Sequence, residues 1–211
     1  MTYTDRAQAG TVLAGLLGAY AGRPDVVVLG LVRGGVPVAA RVAAALGAPL
    51  DVLVVRKLGV PWAPEIAFGA MGPGGVIVHN REVEARLPDS DVAAVAAREA
   101  GELERRERIY RGDRPPLDLT GRIAIIIDDG LATGATARAA VAVARSLGAA
   151  SVVVAVPVGS PEAVSLLRAE ADVVVCPLAP AGFGAVSRFY RTFGQIGDAE
   201  VVALLHGGGR R

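Results

Sequence analysis

Two adjacent carboxylates, Asp128 and Asp129, end a short β-branched run and precede a loop of small residues. The stretch reads Ile123-Ala124-Ile125-Ile126-Ile127-Asp128-Asp129-Gly130-Leu131-Ala132-Thr133-Gly134-Ala135-Thr136. Side chains alternate faces along a strand, so neighbouring acids can share a site only if the chain turns at them. The loop that follows suits a phosphate. Small residues let the backbone approach, its N–H groups point at the oxygens, and a helix N-terminus adds positive dipole. The hydroxyls of Thr133 and Thr136 are further donors. Carboxylates do not suit a phosphate. They suit hydroxyls, or a Mg²⁺ bound beside it. A ribose 5-phosphate satisfies both halves. A plain acidic turn ahead of a helix is the bland alternative. The Walker phosphate loop is excluded, because no Lys follows the Gly at the required place.

Cations stand at two other predicted strand ends. Arg33-Gly34-Gly35 follows the apolar run 26–31 and offers backbone donors plus a guanidinium to a doubly charged anion. The alternative there is a βα turn whose glycines supply an unusual backbone angle. Arg56-Lys57 follows the run 51–55, and two adjacent cations repel unless an anion or acid lies near. A salt-bridged surface pair is the competing account. His79 has no nearby Cys or His and reads as a turn residue. No convincing Ser/His/Asp or Cys/His set is present.

The apolar strand, the Asp-Asp pair and Thr133-Gly134-Ala135-Thr136 together resemble the phosphoribosyl diphosphate (PRPP) signature of type I phosphoribosyltransferases. The resemblance covers roughly residues 26–175. It implies that Asp128 and Asp129 hold the ribose hydroxyls as the catalytic pair, and that Gly130, Leu131, Ala132, Thr133, Gly134, Ala135 and Thr136 cradle the 5′-phosphate. It puts Arg33, Gly34 and Gly35 in the pyrophosphate loop. Residues 52–61 are similar to a stretch of adenine phosphoribosyltransferases in which a basic pair, here Arg56 and Lys57, meets pyrophosphate. The implied reaction is transfer of a 5-phosphoribosyl group from PRPP to a purine-like base, releasing pyrophosphate. Mg²⁺ is the implied cofactor, carried by the substrate, with Asp128 and Asp129 as its candidate protein ligands. Enzymes for 6-oxopurines resemble one another in an Asp where this chain has Ala132, which argues against those bases. Gly130 departs from the family's usual apolar residue. A non-catalytic PRPP sensor and a hydrolase on the same fold are the rival readings.

Alternating strands and helices must position these groups: an α/β fold, with a parallel sheet and helices on both faces. Arg33, Arg56, Lys57, Asp128 and Asp129 all fall at predicted carboxyl edges, where such sheets bind ligands. Helices are expected from Thr4 or Asp5 to Tyr20, from the Arg33 loop to Leu46, from Asp89 or Ser90 to Tyr110 (a solvated helix rich in Arg and Glu), over 135–147, 161–169 and 198–205. Strands are expected over 26–31, 51–55, 123–127, 151–156 and 172–175.

Residues 58–75, rich in Gly and Pro, show no periodicity and read as a mobile lid containing Trp62. Glu65 within them either acts on the base or pairs with an Arg. Val76 to Val78 can complete a hairpin. The tail 177–211 is expected to form a small hood. Phe183 and Tyr190 are its candidates for stacking on a base, or else belong to an aromatic mini-core under the C-terminal helix.

The chain of 211 residues suffices for one such domain. A net charge of +1 gives no global pull towards nucleic acid or membrane. The single Cys176 forbids an internal disulfide. A cytoplasmic homodimer is the expected setting.

Overall fold

The computed structural model describes residues 2–207. Helix α1 (Arg6–Leu16) opens on Asp5, whose carboxylate accepts from the Gln8 N–H at 2.8 Å. It stops short of the expected Tyr20, and residues 18–20 form a 3-10 turn. Strand β1 (Val26–Leu31) follows, then α2 (Gly35–Leu46), closed by Gly47 in the left-handed region at φ 64°. Next come β2 (Leu50–Leu53), β3 (Arg56–Val60), β4 (Ala63–Gly72), β5 (Val76–His79), α3 (Arg81–Glu84) and α4 (Asp89–Arg111). The second half contains β6 (Ile123–Ile127), α5 (Ala135–Ser146), β7 (Ser151–Ala155), α6 (Pro161–Arg168), β8 (Val173–Val175) and α7 (Asp198–Gly207).

Five strands form a parallel sheet in the order β2-β1-β6-β7-β8. Every residue of β1 and β6 is buried, which accounts for their unbroken apolar runs. Side-chain alternation builds two cores. Val27, Leu29, Ala124 and Ile126 face α5 and α6, where Ala140, Val143 and Leu167 pack. Val26, Val28, Ile123, Ile125 and Ile127 face α1 and α2 through Leu13, Val38 and Val42. Chain order reverses between β1 and β6, because β2 lies on one side of β1 and β6 on the other. Their adjacent carboxyl ends are therefore the switch point at which open α/β sheets bind ligands.

The stretch expected to be an aperiodic loop is instead an antiparallel sheet, β3-β4-β5. Its signal is broken by register shifts between Leu58 and Val60, and by glycines chosen for close approach. A Cβ on Gly69 would lie 2.7 Å from the Val78 carbonyl. Leu58, Phe68 and Met71 are buried with Val52, Val95 and Leu103, so the segment packs into a core that it shares with β2 and α4. The turn and its flanks stand clear, with Trp62 66 % and Ile66 51 % exposed.

Helix α4 is also not a purely solvated helix. Val95, Glu99, Leu103 and Tyr110 make a buried stripe against β3 and α7. The tail divides. Helix α7 packs Val201 and Leu205 into the core shared with α4, whereas the aromatic residues form a separate cluster with Tyr3 and Ala9. The aromatic mini-core thus lies beside α1, not under the C-terminal helix. The last four residues of the expected hood, 208–211, fall outside the described part. No helix among the described residues is long and apolar enough to cross a membrane.

Candidate functional site at the sheet switch point

The carboxyl end of β6 delivers Asp128 and Asp129 against the turn that joins β1 to α2. A Cβ on Gly35 would run into the Ile127 carbonyl and come within 2.8 Å of the Asp128 Cα. One on Gly34 would strike the Asp129 carboxylate. Only hydrogen at these two α-carbons lets the Arg33 loop and the acid pair touch. The Val32–Arg33 peptide in this turn is cis.

Each acid has one oxygen tied to the protein. Asp128 Oδ1 accepts from the Asp129 N–H at 2.9 Å. Asp129 Oδ2 accepts from Arg6 Nε at 2.8 Å, and Arg6 Nη2 lies 2.8 Å from the same oxygen as an ion pair. The second oxygens have no protein donor among the described residues. Burial, and then the neighbouring Asp129 charge, push the Asp128 carboxyl well above the usual carboxylate range. Burial also raises Asp129, but the Arg6 hydrogen bond and charge oppose that rise. Arg6 was invisible in the sequence as a site residue, since nothing in an N-terminal helix points to an acid so far along the chain.

Beyond the acids, a pocket of about 190 Å³ is lined by Asp128, Gly130 to Ala137 and Val186. Asp129 lies outside this lining, towards Gly34 and Arg6. The loop is pinned from behind. Leu131 donates to the Val158 carbonyl at 2.9 Å, and Ser160 Oγ donates to the Ala132 carbonyl at 2.8 Å. Gly134 caps α5 at φ 74°. The N–H groups of Ala132, Thr133 and Gly134 meet no protein acceptor among the described residues; at the start of α5 the Ala135 N–H donates to Thr133 Oγ1 at 3.4 Å, and the next N–H groups of the first turn have no partner within the helix. Gly130, an oddity in the sequence, lies under Val186, whose Cγ1 a Cβ would approach to 2.6 Å.

The expected cations are held elsewhere. Arg33 Nη1 lies 3.6 Å from Asp198 Oδ1 at the start of α7, and that same oxygen accepts from Tyr110 Oη at 2.7 Å. Arg56 does not end a strand of the parallel sheet. It opens β3 and pairs with buried Glu99, at 2.7 Å from Nε and 2.6 Å from Nη2. Lys57 is exposed and makes no ion pair among the described residues. Glu65 is exposed and pairs with no Arg among the described residues. His79 pairs with Glu84 at 2.6 Å.

Phe183 and Tyr190 do not present ring faces to the site. Both are buried, Phe183 stacked on Phe189 with centroids 5.4 Å apart and Tyr190 against Tyr3 and Phe193. Tyr190 Oη donates to the Asp129 carbonyl at 2.6 Å. Burial, then the Asp129 charge, push its phenol far above the ordinary value, so it stays a donor.

The sequence model of the phosphoribosyl transferase domain matches residues 6–188. The chain belongs to the phosphoribosyl transferase family. Its five-stranded parallel sheet with flanking helices is the type I phosphoribosyltransferase fold expected from the sequence. Two Mycobacterium tuberculosis proteins, from strains CDC 1551 and H37Rv and each named "Putative phosphoribosyl transferase", are 53% identical over 205 residues. Those alignments cover 96% of this chain and 46% of each relative, so the chain spans about half their length. The crystal structure of TT1426 from Thermus thermophilus is similar with a TM-score of 0.90 and 45% identity, covering 97% of this chain and 98% of that one.

Proposed function

We propose that this phosphoribosyl transferase domain binds PRPP across the β1/β6 switch point and transfers its 5-phosphoribosyl group to a nitrogenous base. The observation that carries the reading is the pair of free carboxylate oxygens, one on each acid, beside a pocket of open backbone donors. A vicinal diol has two hydroxyls to give and a 5′-phosphate needs several N–H groups; both demands are met within one short segment. The Arg33 turn, pressed onto the same acids, then receives pyrophosphate.

In the reaction the C1′–oxygen bond to pyrophosphate breaks and a C1′–nitrogen bond to the base forms. Positive charge builds on the ribose ring between the two, as in glycoside cleavage. Asp128 and Asp129 fix the ring through its hydroxyls. The loop 130–136 holds the other end of the ribose, so the chain contributes chiefly orientation.

The residues fit a substrate-borne Mg²⁺ rather than a protein cage. No group of three or more His, Cys, Asp or Glu able to hold a metal lies among the described residues, and Mg²⁺ is content with one or two carboxylates plus phosphate oxygens. Asp128 and Asp129 would be those carboxylates. The chemistry such an ion would supply is neutralisation of charge on the pyrophosphate.

A PRPP-binding sensor without transfer is favoured by one observation: the aromatic residues expected to stack a base are packed inside the tail. Pyrophosphate release from PRPP, measured with purine, pyrimidine and pyridine bases in turn, separates the two. Release that requires one of these bases establishes transfer. PRPP binding with no release under any base establishes the sensor.

A further inference from the structure

The second acid is governed from outside its own segment. Arg6, in the first turn of α1 and only 9% exposed, directs Nε and Nη2 at a single oxygen, Oδ2 of Asp129. Its Nη1 donates to the Gly194 carbonyl at 2.9 Å, and its guanidinium carbon lies 3.9 Å over the Phe193 ring. The Tyr190 hydroxyl grips the main chain of the same aspartate. Asp129 is thus held at its carboxylate and at its carbonyl by the two ends of the chain.

A rivet between α1 and the tail would account for the contacts to Gly194 and Phe193 alone. It would not account for the choice of carboxylate oxygen. Oδ2 is the atom wedged against Gly34, and Arg6 takes that one, leaving Oδ1 without a protein donor among the described residues. A planar fork stacked on an aromatic ring sets direction as well as charge.

We propose that Arg6 is a positioning residue for the acid pair: by occupying Oδ2 it turns Oδ1 of Asp129 towards a ribose hydroxyl. The inference rests on the diol-binding reading given above. It makes the N-terminal helix and residues 190–194 part of the ribose site without touching the ligand. Lysine cannot replace Arg6 fully, because an ammonium cannot span Asp129 and Gly194 while stacking on Phe193.

Calorimetric titration with ribose 5-phosphate and, separately, inorganic phosphate tests this. Arg6→Gln is expected to weaken ribose 5-phosphate about tenfold, the effect of one charge-assisted hydrogen bond, and to leave inorganic phosphate unchanged. Arg6→Lys should fall between, and Phe193→Leu should cost about two- to threefold on ribose 5-phosphate alone. A purely structural Arg6 would weaken both ligands alike or neither, and either result overturns the proposal. If circular dichroism shows Arg6→Gln unfolded, Arg6→Lys and Phe193→Leu are judged by the same selectivity. Asp129→Ala in the same assay distinguishes the two levels of failure. Unchanged affinity there sinks the diol reading and this inference with it; lost affinity there, with Arg6→Gln unaffected, sinks this inference alone.

Discussion

The two halves of the site proposed to bind anions are built differently. The half at residues 130–136 is made of consecutive backbone N–H groups, fixed from behind by Val158 and Ser160 and open in front. The half at Arg33 and Arg56 is made of long side chains already engaged by distant acids, Asp198 and Glu99. Backbone donors have no side-chain entropy to lose and no counter-ion to shed. Guanidinium groups have both, so binding there is an exchange of one anion for another. The first half is therefore preformed. In the second, a ligand's gain is the difference between its anion and an internal carboxylate.

The largest expected effect lies where the halves meet. Asp128→Asn should remove about 1.5–3 kcal/mol of PRPP binding, while thermal unfolding of the free protein shifts upward. The stability sign follows from the raised carboxyl. Between the ordinary carboxylate range and its raised value, the folded chain holds a proton that the unfolded chain has released. Stability therefore falls as pH rises through that window, and an amide removes the fall. Unfolding followed from pH 4 to 8 should show a flatter profile for the variant; an unchanged profile breaks the burial argument.

Next come opposed variants of the two halves. Arg33→Ala should weaken PRPP by about tenfold, the value of a charged hydrogen bond, yet leave ribose 5-phosphate nearly normal. Gly134→Ala, at φ 74° and with its new Cβ 3.2 Å from that of Ala163, should weaken both ligands and cost about 1–2 kcal/mol of stability. Titration of the two ligands into both variants decides it, and equal losses in Arg33→Ala would dissolve the division.

A smaller change tests the exchange itself. Asp198→Asn frees Arg33 from a half-exposed pair, so pyrophosphate should bind about two- to fivefold tighter, in keeping with a surface ion pair. Weaker binding would make Asp198 part of the site rather than its competitor. The finest distinction is kinetic. In hydrogen exchange, residues 61–66 should exchange fast in the free protein and slow with PRPP and Mg²⁺, while Phe68 to Met71 stay protected throughout. Slow exchange at Trp62 without ligand would make the hairpin turn a fixed element.

The segment 123–136 determined its own structure. Its strand is buried on both faces, its donors are consecutive, and its glycine sits where a helix must begin, so neighbours in sequence are neighbours in space. The same holds for the Arg33 turn and for the parallel architecture. The 58–75 stretch was misleading because an antiparallel hairpin with shifted register and close-approach glycines loses the alternation that marks a strand. Tertiary structure alone decided which charges are free. Arg6, Glu99 and Asp198 reach Asp129, Arg56 and Arg33 from other elements, and an ion pair needs proximity that spacing in the sequence does not encode. The aromatic residues of the tail were decided the same way: whether a ring stacks on a ligand or fills a core depends on what packs beside it, and here Tyr3 and Ala9 of the opposite terminus do.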